Sequence, residues 1–280
     1  MRFDIVTLFP DLFAGIFEHG IVRRARAAGL VTVATHDLRA FTHDRHRTVD
    51  DRPFGGGEGM VLKPEPLAAA LGSLGIGTKG ERAADELQKN TRVILLSAQG
   101  RTFTQAAARE FAALDRIVFL CGRYEGVDER INELYCDREV SIGDYVLSGG
   151  ELAAAVVADA VMRLIPGVLG NEASGEFESF GVADAQIDVD EPGVPRSQHG
   201  AGGLLDYPHY TRPAEFGGLR VPETLLNGDH QQIRRWRREQ QLRKTLANRP
   251  DLLEHAPLSA DDLRLLKALR QADENCAAES

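Results

Sequence analysis

Strand-like and helix-like segments alternate along the first part of the chain, and this alternation constrains the fold more than any other feature. Apolar, β-branched runs typical of strands occur at residues 3–9, 30–38, 91–98 and 116–122, and a fifth strand is predicted at 144–147. Helical patterns lie between them. Strands separated by helices are typical of parallel sheets covered on both faces, so we predict a three-layer α/β domain.

The clearest helical patterns have recognisable ends. One opens at Pro10 and ends at Gly29, a second begins near Thr104, and a third covers residues 151–164. Pro166 ends the third helix because proline cannot continue the hydrogen-bond pattern of a helix.

Composition excludes several classes of protein. The 280 residues are 43% hydrophobic and 27% charged, which is ordinary for a globular chain. No apolar run reaches the roughly 20 residues of a membrane span, and Asp4 interrupts any secretory signal. Three scattered cysteines without a CxxC pair indicate a reduced, cytoplasmic protein without a zinc site. The net charge of −9 argues against nucleic-acid binding by the whole surface but permits a local basic patch.

Composition also divides the chain into two domains and a connecting segment. Residues 1–168 carry the α/β pattern. Residues 169–205 are predicted to be a flexible acidic linker, because positions 170–203 hold seven glycines and seven acidic residues but a single arginine. Residues 206–280 are predicted to form a small helical domain. Its segment 229–249 carries seven Lys or Arg against two acidic residues, which indicates either an RNA-backbone contact or a solvated helix face.

Three glycine-rich segments follow predicted strands, at the ends where open α/β sheets bind ligands. They are LLSAQG at 95–100, CGRYEGVDER at 121–130 and SIGDYVLSGGE at 141–151. Their glycines either bring backbone close to a ligand or make tight turns, and as a set they indicate a ligand site. A fourth segment, FGGGEGM at 54–60, lacks the context of a dinucleotide fingerprint and the Lys-Ser/Thr of a P-loop, and a mobile surface loop is the alternative.

Two further segments are dense in functional side chains. HDRH at 43–46 is surrounded by Arg45, Arg47 and Arg52, and nearby cations disfavour a metal, so we predict an anion-binding surface instead. LLDYPHYTRP at 204–213 combines an acid, two Tyr, a His and an Arg next to the predicted linker. Such a loop is a candidate site rather than part of the core.

Six motifs occur in one order along the chain, and together they closely resemble the bacterial tRNA (guanine-N1)-methyltransferases of the SPOUT class. They are FTHDRHRTVDDRPFGGGEGM, CGRYEGVDER, SIGDYVLSGGEL, IPGVLGNEAS, LLDYPHYTRP and IRRWRR. The resemblance extends from about Phe3 to the helix containing Leu266, and it fails at 170–203 and in the last few residues. It implies methyl transfer from S-adenosylmethionine to N1 of the guanosine immediately 3′ of the anticodon in tRNA.

The resemblance also implies an architecture and partners. The fold would be an α/β SPOUT domain with a deep trefoil knot, followed by a small all-helical C-terminal domain. Knots are otherwise nearly absent from proteins, so no strand pattern predicts one. S-adenosylmethionine would lie in the knot, tRNA would bind through its anticodon stem-loop, and the protein would be a homodimer with its active site at the subunit interface. Mg²⁺ is a requirement of the family for which the sequence carries no motif.

The same resemblance assigns site residues. Asp206 would be the general base that takes the guanine N1 proton, and Arg163 the cation that stabilises charge on O6. Glu125 would contact the target nucleotide or magnesium. The other substrate contacts would come from His46, Arg52, Arg234, Arg235 and Arg238. The cofactor-binding residues would be Leu96, Ser97, Gln99, Gly100, Gly122, Tyr124, Gly126, Ile142, Gly143, Asp144, Tyr145, Val146, Leu147, Gly149 and Gly150.

Each of these assignments has an alternative. Arg163 could simply favour the negative end of its helix, and Asp206 could form a turn before Pro208. The alternative functions are a SPOUT enzyme acting on ribosomal RNA and a catalytically inactive RNA-binding regulator. The presence of Asp206, Arg163 and all the expected knot glycines argues against the regulator. A conventional Rossmann methyltransferase fits poorly, because no glycine-rich turn follows the first strand.

Overall fold

The structure is a computed structural model that describes residues 1–170, 178–181 and 201–278, with side chains described as far as residue 271. Two compact units make up the chain, Met1–Gly170 and Asn171–Ser280. Each unit has its own buried hydrophobic core. None of the helices in the described ranges is long and apolar enough to cross a membrane.

A five-stranded parallel sheet organises the first unit. The strands of this unit, in chain order, are β1 (Arg2–Thr7), β2 (Thr32–Asp37), β3 (Asp50–Asp51), β4 (Val61–Leu62), β5 (Thr91–Thr102), β6 (Arg116–Cys121) and β7 (Arg138–Ser141). The sheet has the order β2-β1-β6-β5-β7, and each neighbouring pair is parallel. The short strands β3 and β4 pair separately and are antiparallel. The predicted parallel sheet is therefore confirmed.

Helices cover both faces of this sheet. They are α1 (Gly20–Ala27), α2 (Pro64–Ser73), α3 (Lys79–Ala84), α4 (Gln105–Ala112), α5 (Glu129–Tyr135) and α6 (Glu151–Met162). Ile117 and Phe119 of β6 lie in one core with residues of α1, α4 and α6, whereas Val118 and Leu120 lie in a second core with residues of α2 and α5. Because successive strand residues face opposite sides of a sheet, this alternation produces the three predicted layers.

The edge strand β7 corrects one sequence prediction. The sequence predicts the fifth strand at residues 144–147, whereas the structure places it at Arg138–Ser141. Ser141 Oγ accepts a hydrogen bond from the Gly143 N–H, and Gly143 adopts a φ of 149°, which a residue with a side chain rarely takes. This turn directs residues 144–147 away from the sheet and into a loop.

The connection from β1 to β2 corrects a second prediction. In place of one helix from Pro10 to Gly29, a 3-10 turn at Pro10–Phe13 precedes α1. Gly15 adopts a φ of 89°, outside the right-handed helical region, and therefore separates the two elements. The rings of Phe13 and Phe17 nevertheless stack on each other in the core.

Asp4 places a buried charge in β1. Its carboxylate is fully buried and lies 2.7–2.8 Å from Arg2, from His36 in β2 and from Arg116 in β6. Burial by itself raises the pKa of this carboxyl, but hydrogen bonds from the three partners outweigh burial and lower the pKa from 3.8 to about 2. The charged carboxylate therefore links three neighbouring strands.

The second unit combines helices with a short hairpin. Its described elements include the strands β8 (Glu215–Phe216) and β9 (Leu219–Arg220) and the helices α7 (His230–Asn248) and α8 (Ala260–Ala278). Asp229 caps α7 by accepting the Gln231 N–H, as its position before the helix predicts. Leu242 of α7 and Leu266 of α8 pack together in the core of this unit. The hairpin departs from an all-helical domain.

The predicted linker, residues 169–205, lies largely outside the described residues, which omit 171–177 and 182–200. The parts at 178–181 and 201–205 contact one another. The Phe180 N–H donates to the Leu204 carbonyl, and the Leu204 side chain is fully buried in the core of the second unit. Residues 178–181 and 201–205 therefore belong to the fold of the second unit.

We expect Asp4→Asn to lower the free energy of unfolding by about 2 kcal/mol at neutral pH, because a pKa depressed to about 2 reflects that much favourable interaction of the charged form. A carboxyl whose pKa is lowered by folding stabilises the protein at pH values above its unfolded-state pKa of 3.8. This stabilisation is lost as the pH falls through about 2. The difference between wild type and variant should therefore shrink on acidification. Urea unfolding at several pH values measures it, with exposed Asp11→Asn as the control. A difference that is constant with pH would contradict the assignment.

Candidate functional site

A cavity of about 310 Å³ opens at the ends of β5, β6 and β7. Three loops enclose it, within residues 95–99, 122–129 and 139–150. These loops contain the three glycine-rich segments predicted at strand ends, and parallel strands bring them to one edge of the sheet. The segments predicted to bind a ligand therefore share one cavity.

Most of the predicted cofactor-binding residues line this cavity. Of that set, Gly100 and Asp144 do not. The lining members are Leu96, Ser97, Gln99, Gly122, Tyr124, Gly126, Ile142, Gly143, Tyr145, Val146, Leu147, Gly149 and Gly150. Glu125, predicted to contact the substrate, lines the same cavity. The structure thus brings a predicted substrate contact next to the predicted cofactor contacts.

The second and third loops meet backbone to backbone at Gly150. Its N–H donates to the Gly122 carbonyl at 2.9 Å. A Cβ atom on Gly150 would lie 2.9 Å from Cys121 Cα and 3.1 Å from Gly122 N, which is closer than real Cβ contacts allow. Glycine is therefore required here for steric reasons, and peptide groups form this wall of the cavity.

Gly100 supports the cavity from outside it. The pairing of β5 with β7 shifts between Leu96 and Arg101, so that residues 97–100 bulge out of the ladder. A Cβ on Gly100 would lie 2.4 Å from Val140 N. Glycine at this position therefore lets the bulged loop pack against β7.

Sequence reasoning misses an ion pair behind the cavity. Arg123 Nη2 lies 3.0 Å from Glu151 Oε2, and Glu151 is only 1% exposed. Thr7 Oγ1 donates to Glu151 Oε1 at 2.8 Å, and the Arg123 guanidinium lies 4.5 Å above the Phe9 ring. The available signal was a carboxylate at the first position of a largely apolar helix. The pair joins the end of β1, the loop after β6 and the start of α6.

Aromatic and apolar side chains form the rim of the cavity. Tyr124 adopts a φ of 60°, a left-handed conformation that is uncommon for a residue with a side chain. Strain of this kind clusters at ligand sites. Tyr124, Tyr145 and Val146 are all exposed. A ligand or a second chain can therefore cover them.

The glycine-rich segment 54–60 approaches the cavity through Glu125. The Glu125 N–H donates to the Met60 carbonyl at 3.0 Å, and a Cβ on Gly59 would lie 2.4 Å from Glu125 Oε1. Phe54, at the other end of the segment, is fully exposed. The segment is thus attached to Glu125 at one end rather than free along its whole length.

His46 and Arg52, two predicted substrate contacts, lie on an exposed segment around β3 and do not line the cavity. Asp44 orders the segment by accepting the N–H groups of His46 and Thr48. The hydrogen bond from the Thr48 hydroxyl to this carboxylate lowers the pKa of Asp44. Both predicted contacts are therefore placed for a ligand that approaches from solvent.

Asp206 lies in the second unit and is held by hydrogen bonds. Its Oδ1 accepts the Tyr207 N–H at 2.7 Å, and its Oδ2 lies 3.0 Å from His209 Nε2. The Asp206 N–H donates to Ser179 Oγ at 3.0 Å. Burial raises the pKa of the neighbouring Tyr207 phenol, which therefore stays protonated at neutral pH. The Asp206 carboxylate is oriented by its neighbours and still 21% exposed.

Arg163 lies in the first unit, at the C-terminal end of α6. Its backbone N–H donates to the Asp159 carbonyl at 3.2 Å. A cation at this end favours the helix dipole, which is the structural role that competes with catalysis. The two predicted catalytic residues, Arg163 and Asp206, therefore belong to different units.

The arginines of the basic helix α7 lie in different surroundings. Arg235 is exposed and Arg234 half-buried. Arg238 instead makes a two-pronged ion pair with Asp262 of α8, at 2.8 and 2.9 Å. Burial raises the pKa of Asp262, but the interactions with Arg238 and the hydrogen bonds from Ser259 together outweigh burial and hold the pKa below its usual value. Arg238 therefore ties the two helices together, a role that the sequence prediction of a substrate contact did not include.

A parallel sheet with helices on both faces and a glycine-lined cavity at its carboxyl edge defines an open α/β protein, a class in which ligands bind at the strand ends. Similarity to known proteins narrows this class. The family model described as tRNA (Guanine-1)-methyltransferase TrmD matches residues 1–255. The chain belongs to this tRNA (guanine-N1)-methyltransferase family, which confirms the resemblance seen in its motifs.

Curated relatives are similar over nearly their full length. The tRNA (guanine-N(1)-)-methyltransferase of Koribacter versatilis is 55% identical, over 96% of this chain and 98% of its own. The proteins of the same name from Chloroflexus aggregans and Geobacter metallireducens are 50% and 48% identical, over 95% and 97% of this chain and 94% and 98% of their own. Membership of a methyltransferase family implies S-adenosylmethionine as the methyl donor.

We expect Gly150→Ala to weaken S-adenosylmethionine binding by about 5- to 150-fold, because the added methyl group would push apart two loops of the cavity at an overpacking cost of about 1–3 kcal/mol. Isothermal titration calorimetry measures the affinity, and thermal unfolding shows whether the variant is folded. Gly72→Ala, at a helical glycine with no atom within 4 Å of the new Cβ, is the matched control and should bind normally. Equal affinities for both variants would show that the contact at Gly150 does not shape the site.

Proposed function

We propose that the protein transfers a methyl group from S-adenosylmethionine to N1 of the guanosine immediately 3′ of the anticodon in tRNA. The observation that carries this proposal is the single cavity, in a chain of this family, that gathers predicted cofactor contacts around Glu125. The names of the relatives specify tRNA and guanine N1. The position beside the anticodon rests on the motif resemblance.

We assign the cavity to S-adenosylmethionine and its three loops to a deep trefoil knot. The chemistry of the walls supports the ligand. Gly122 and Gly150 line the cavity without side chains, so a ligand can approach the backbone closely there. Tyr124 and Tyr145 offer aromatic faces to its adenine ring. When bound, this cofactor supplies a sulfonium methyl group as the electrophile.

Asp206 is proposed as the general base. Guanine N1 carries a proton at neutral pH and becomes a good nucleophile only when that proton leaves. A carboxylate within hydrogen-bond reach can accept it. The Tyr207 N–H and the His209 ring fix the orientation of the Asp206 carboxylate, and its partial exposure leaves it open to an incoming base. The N1 proton would therefore pass to Asp206 as methyl transfer proceeds.

Arg163 is proposed to stabilise the charge that develops on the guanine. As N1 loses its proton, negative charge spreads onto O6, and a cationic donor there lowers the barrier. Arg163 follows α6, whose first residue, Glu151, belongs to the ion pair behind the cofactor cavity. The helix thus connects the wall of the cavity to the proposed electrostatic group.

A homodimer with its active site at the subunit interface is the proposed assembly. On α6, Leu152 and Val156 are about half exposed, although the opposite face of the helix is fully buried in the core. A group of exposed apolar side chains marks an interaction surface. Leu12 and Ile16 of the same unit are also exposed. A second copy of the chain would cover these apolar side chains and bring its own second unit to the site.

Binding of the tRNA anticodon stem-loop is assigned to cations of both units. Arg234 and Arg235 on α7 are proposed to contact phosphates, together with His46 and Arg52 of the first unit. Glu125, in the cavity, is proposed to contact the target nucleotide. Arg238 is left out of this surface because Asp262 occupies its guanidinium. A tRNA substrate implies a cytoplasmic location.

The family requirement for Mg²⁺ does not find a matching site in the described part of the chain. Those residues contain no group of three or more His, Cys, Asp or Glu side chains placed to hold a metal ion. We therefore derive no step of the reaction through magnesium.

Mass-spectrometric mapping of methylated nucleosides tests the proposed function. Incubation of the protein with S-adenosylmethionine and total tRNA should yield N1-methylguanosine at the position 3′ of the anticodon. Ribosomal RNA incubated in parallel should gain no methyl group. Methylation confined to ribosomal RNA, or binding of tRNA with no methylation at all, would replace the proposal by one of the two alternative functions.

We expect Asp206→Asn to slow single-turnover methyl transfer by about 10²- to 10⁴-fold, because the amide keeps the shape of the carboxylate but cannot accept the N1 proton. Dimerisation and S-adenosylmethionine binding should persist. Asp261→Asn, exposed on α8 of the same unit, is the control. A near-normal rate for Asp206→Asn would assign this residue to turn formation instead, since Asn is an equally good turn residue.

Mixing two inactive variants tests whether the site is shared between subunits. A Cβ on Gly143 would lie 2.5 Å from the Tyr145 ring, so Gly143→Val should disrupt the cofactor loop. A heterodimer pairs one Gly143→Val subunit with one Asp206→Asn subunit. If the site is shared, one of its two sites combines the intact cavity of the second subunit with the intact Asp206 of the first. Recovered activity in the mixture supports a shared site, whereas activity that stays at the level of the separate variants contradicts it.

A further inference from the structure

A second cavity, of about 420 Å³, lies entirely within the second unit. One wall is the loop 207–214, and the opposite wall is the N-terminal half of α7. Val221, Leu225 and Ile233 give it an apolar floor. None of its lining residues lines the cofactor cavity, so the two cavities are separate.

The walls of this second cavity are rich in aromatic rings. Tyr207 and His209 lie with ring centroids 4.7 Å apart and planes tilted by 49°. Tyr210 and Trp236 lie 6.2 Å apart with a tilt of 58°. Tilted rings do not cover one another face to face, and Tyr210 is 49% exposed. Ring faces are therefore available to stack on a planar ligand.

Arginines supply positive charge to the same cavity. The Arg237 guanidinium lies 4.9 Å above the Tyr207 ring, and Arg212 forms part of the lining. Arg237 Nε is buried and has no hydrogen-bond partner among the described residues. A buried donor without an acceptor is unfavourable, and a ligand that brings an acceptor relieves this cost. The cavity thus suits a planar group that carries hydrogen-bond acceptors and an adjoining negative charge.

We propose that this cavity holds an unpaired nucleobase of the tRNA anticodon loop, from a nucleotide that flanks the methylated guanosine. This inference rests on the proposed function. A nucleobase is planar, carries carbonyl and ring-nitrogen acceptors, and is attached to a phosphate that neighbouring arginines can bind. Asp206, the proposed general base for the target guanine, directly precedes Tyr207 and contacts His209, and both of these residues lie in the cavity wall. The nucleobase held in the cavity therefore belongs to a neighbour of the target nucleotide.

Such a site has a clear physical purpose. An enzyme that acts on an atom within a base must take that base out of its stack, which costs its neighbours their stacking contacts. The aromatic walls replace the contacts that the flanking base loses. Stacking of a base on a protein aromatic ring changes affinity by about 5- to 150-fold. The second cavity would thus stabilise the RNA conformation in which the target guanosine is extruded.

The single tryptophan of the chain makes this proposal directly testable. Trp236 lies in the cavity wall, so intrinsic tryptophan fluorescence reports on the surroundings of this cavity. We expect an anticodon stem-loop RNA to quench this fluorescence. The same RNA with an abasic residue at the occupied flanking position should bind about 5- to 150-fold more weakly and quench less. If removal of either flanking base leaves both affinity and quenching unchanged, the proposal is overturned.

A double-mutant cycle locates the base in the cavity. Tyr210→Ala should weaken binding of the intact RNA but add little to the loss already caused by the abasic residue. Phe216→Ala, at an 80% exposed ring of the hairpin outside the cavity, is the control and should bind both RNAs like wild type. Trp236→Phe, which keeps a ring in the wall, should retain affinity within a few-fold. Fully additive losses in the cycle would show that the flanking base is bound elsewhere.

Failure of this inference can be told apart from failure of the proposed function. S-adenosylmethionine affinity close to wild type shows that each variant is folded. If wild type methylates the guanosine but shows no coupling between Tyr210 and a flanking base, the cavity assignment alone is wrong. If wild type binds the RNA with fluorescence quenching and shows coupling between Tyr210 and a flanking base, but forms no N1-methylguanosine, the proposed reaction is wrong. The assignment of the cavity to a nucleobase then stands.

Discussion

Glu151 places a carboxylate, only 1% exposed, among the ends of three chain segments. It opens α6, accepts a hydrogen bond from Thr7 and pairs with Arg123. A buried charge left without its partner costs several kcal/mol, so these segments hold one arrangement. The glycine at position 149 makes room for the Arg123 side chain in this arrangement, since a Cβ on Gly149 would lie 2.2 Å from Arg123 Nε. The cavity walls depend on this ion pair, which draws the loops together, and on glycines, which let their backbones meet.

The strand pattern predicted four of the five parallel strands, and three of them, β1, β5 and β6, are buried and leave a run of apolar residues. β2 is only partly buried, but its β-branched residues still revealed it. The fifth strand escaped for a physical reason. Arg138–Ser141 is four residues long, lies at the sheet edge and is buried only at its last two positions, so it carries no apolar run. The equally long but more apolar stretch at 144–147 drew the prediction away from β7, although the side chains of that stretch are exposed.

The cavity was predictable at the level of segments, because parallel strands bring their carboxyl ends to one edge whatever the details of the loops. The contacts that fix the loops were not predictable. Arg123 and Glu151 are 28 residues apart, and Arg238 and Asp262 are 24 apart. Such pairs arise from the tertiary fold, and no local pattern contains them. For the same reason, Arg238 was read with its basic neighbours as a surface cation, although the structure uses it as a link between two helices.

Helix α7 shows how one short basic motif can serve several purposes. Successive residues of a helix are rotated by roughly 100°, so neighbours in sequence face different surroundings. Arg238 faces Asp262 and the core, Trp236 and Arg237 line the aromatic cavity, and Arg235 is exposed to solvent. A charge count over the motif treats these positions alike. Their surroundings separate them into a contact between two helices, the wall of the second cavity and a solvent-exposed position, and we propose RNA contacts for the last two.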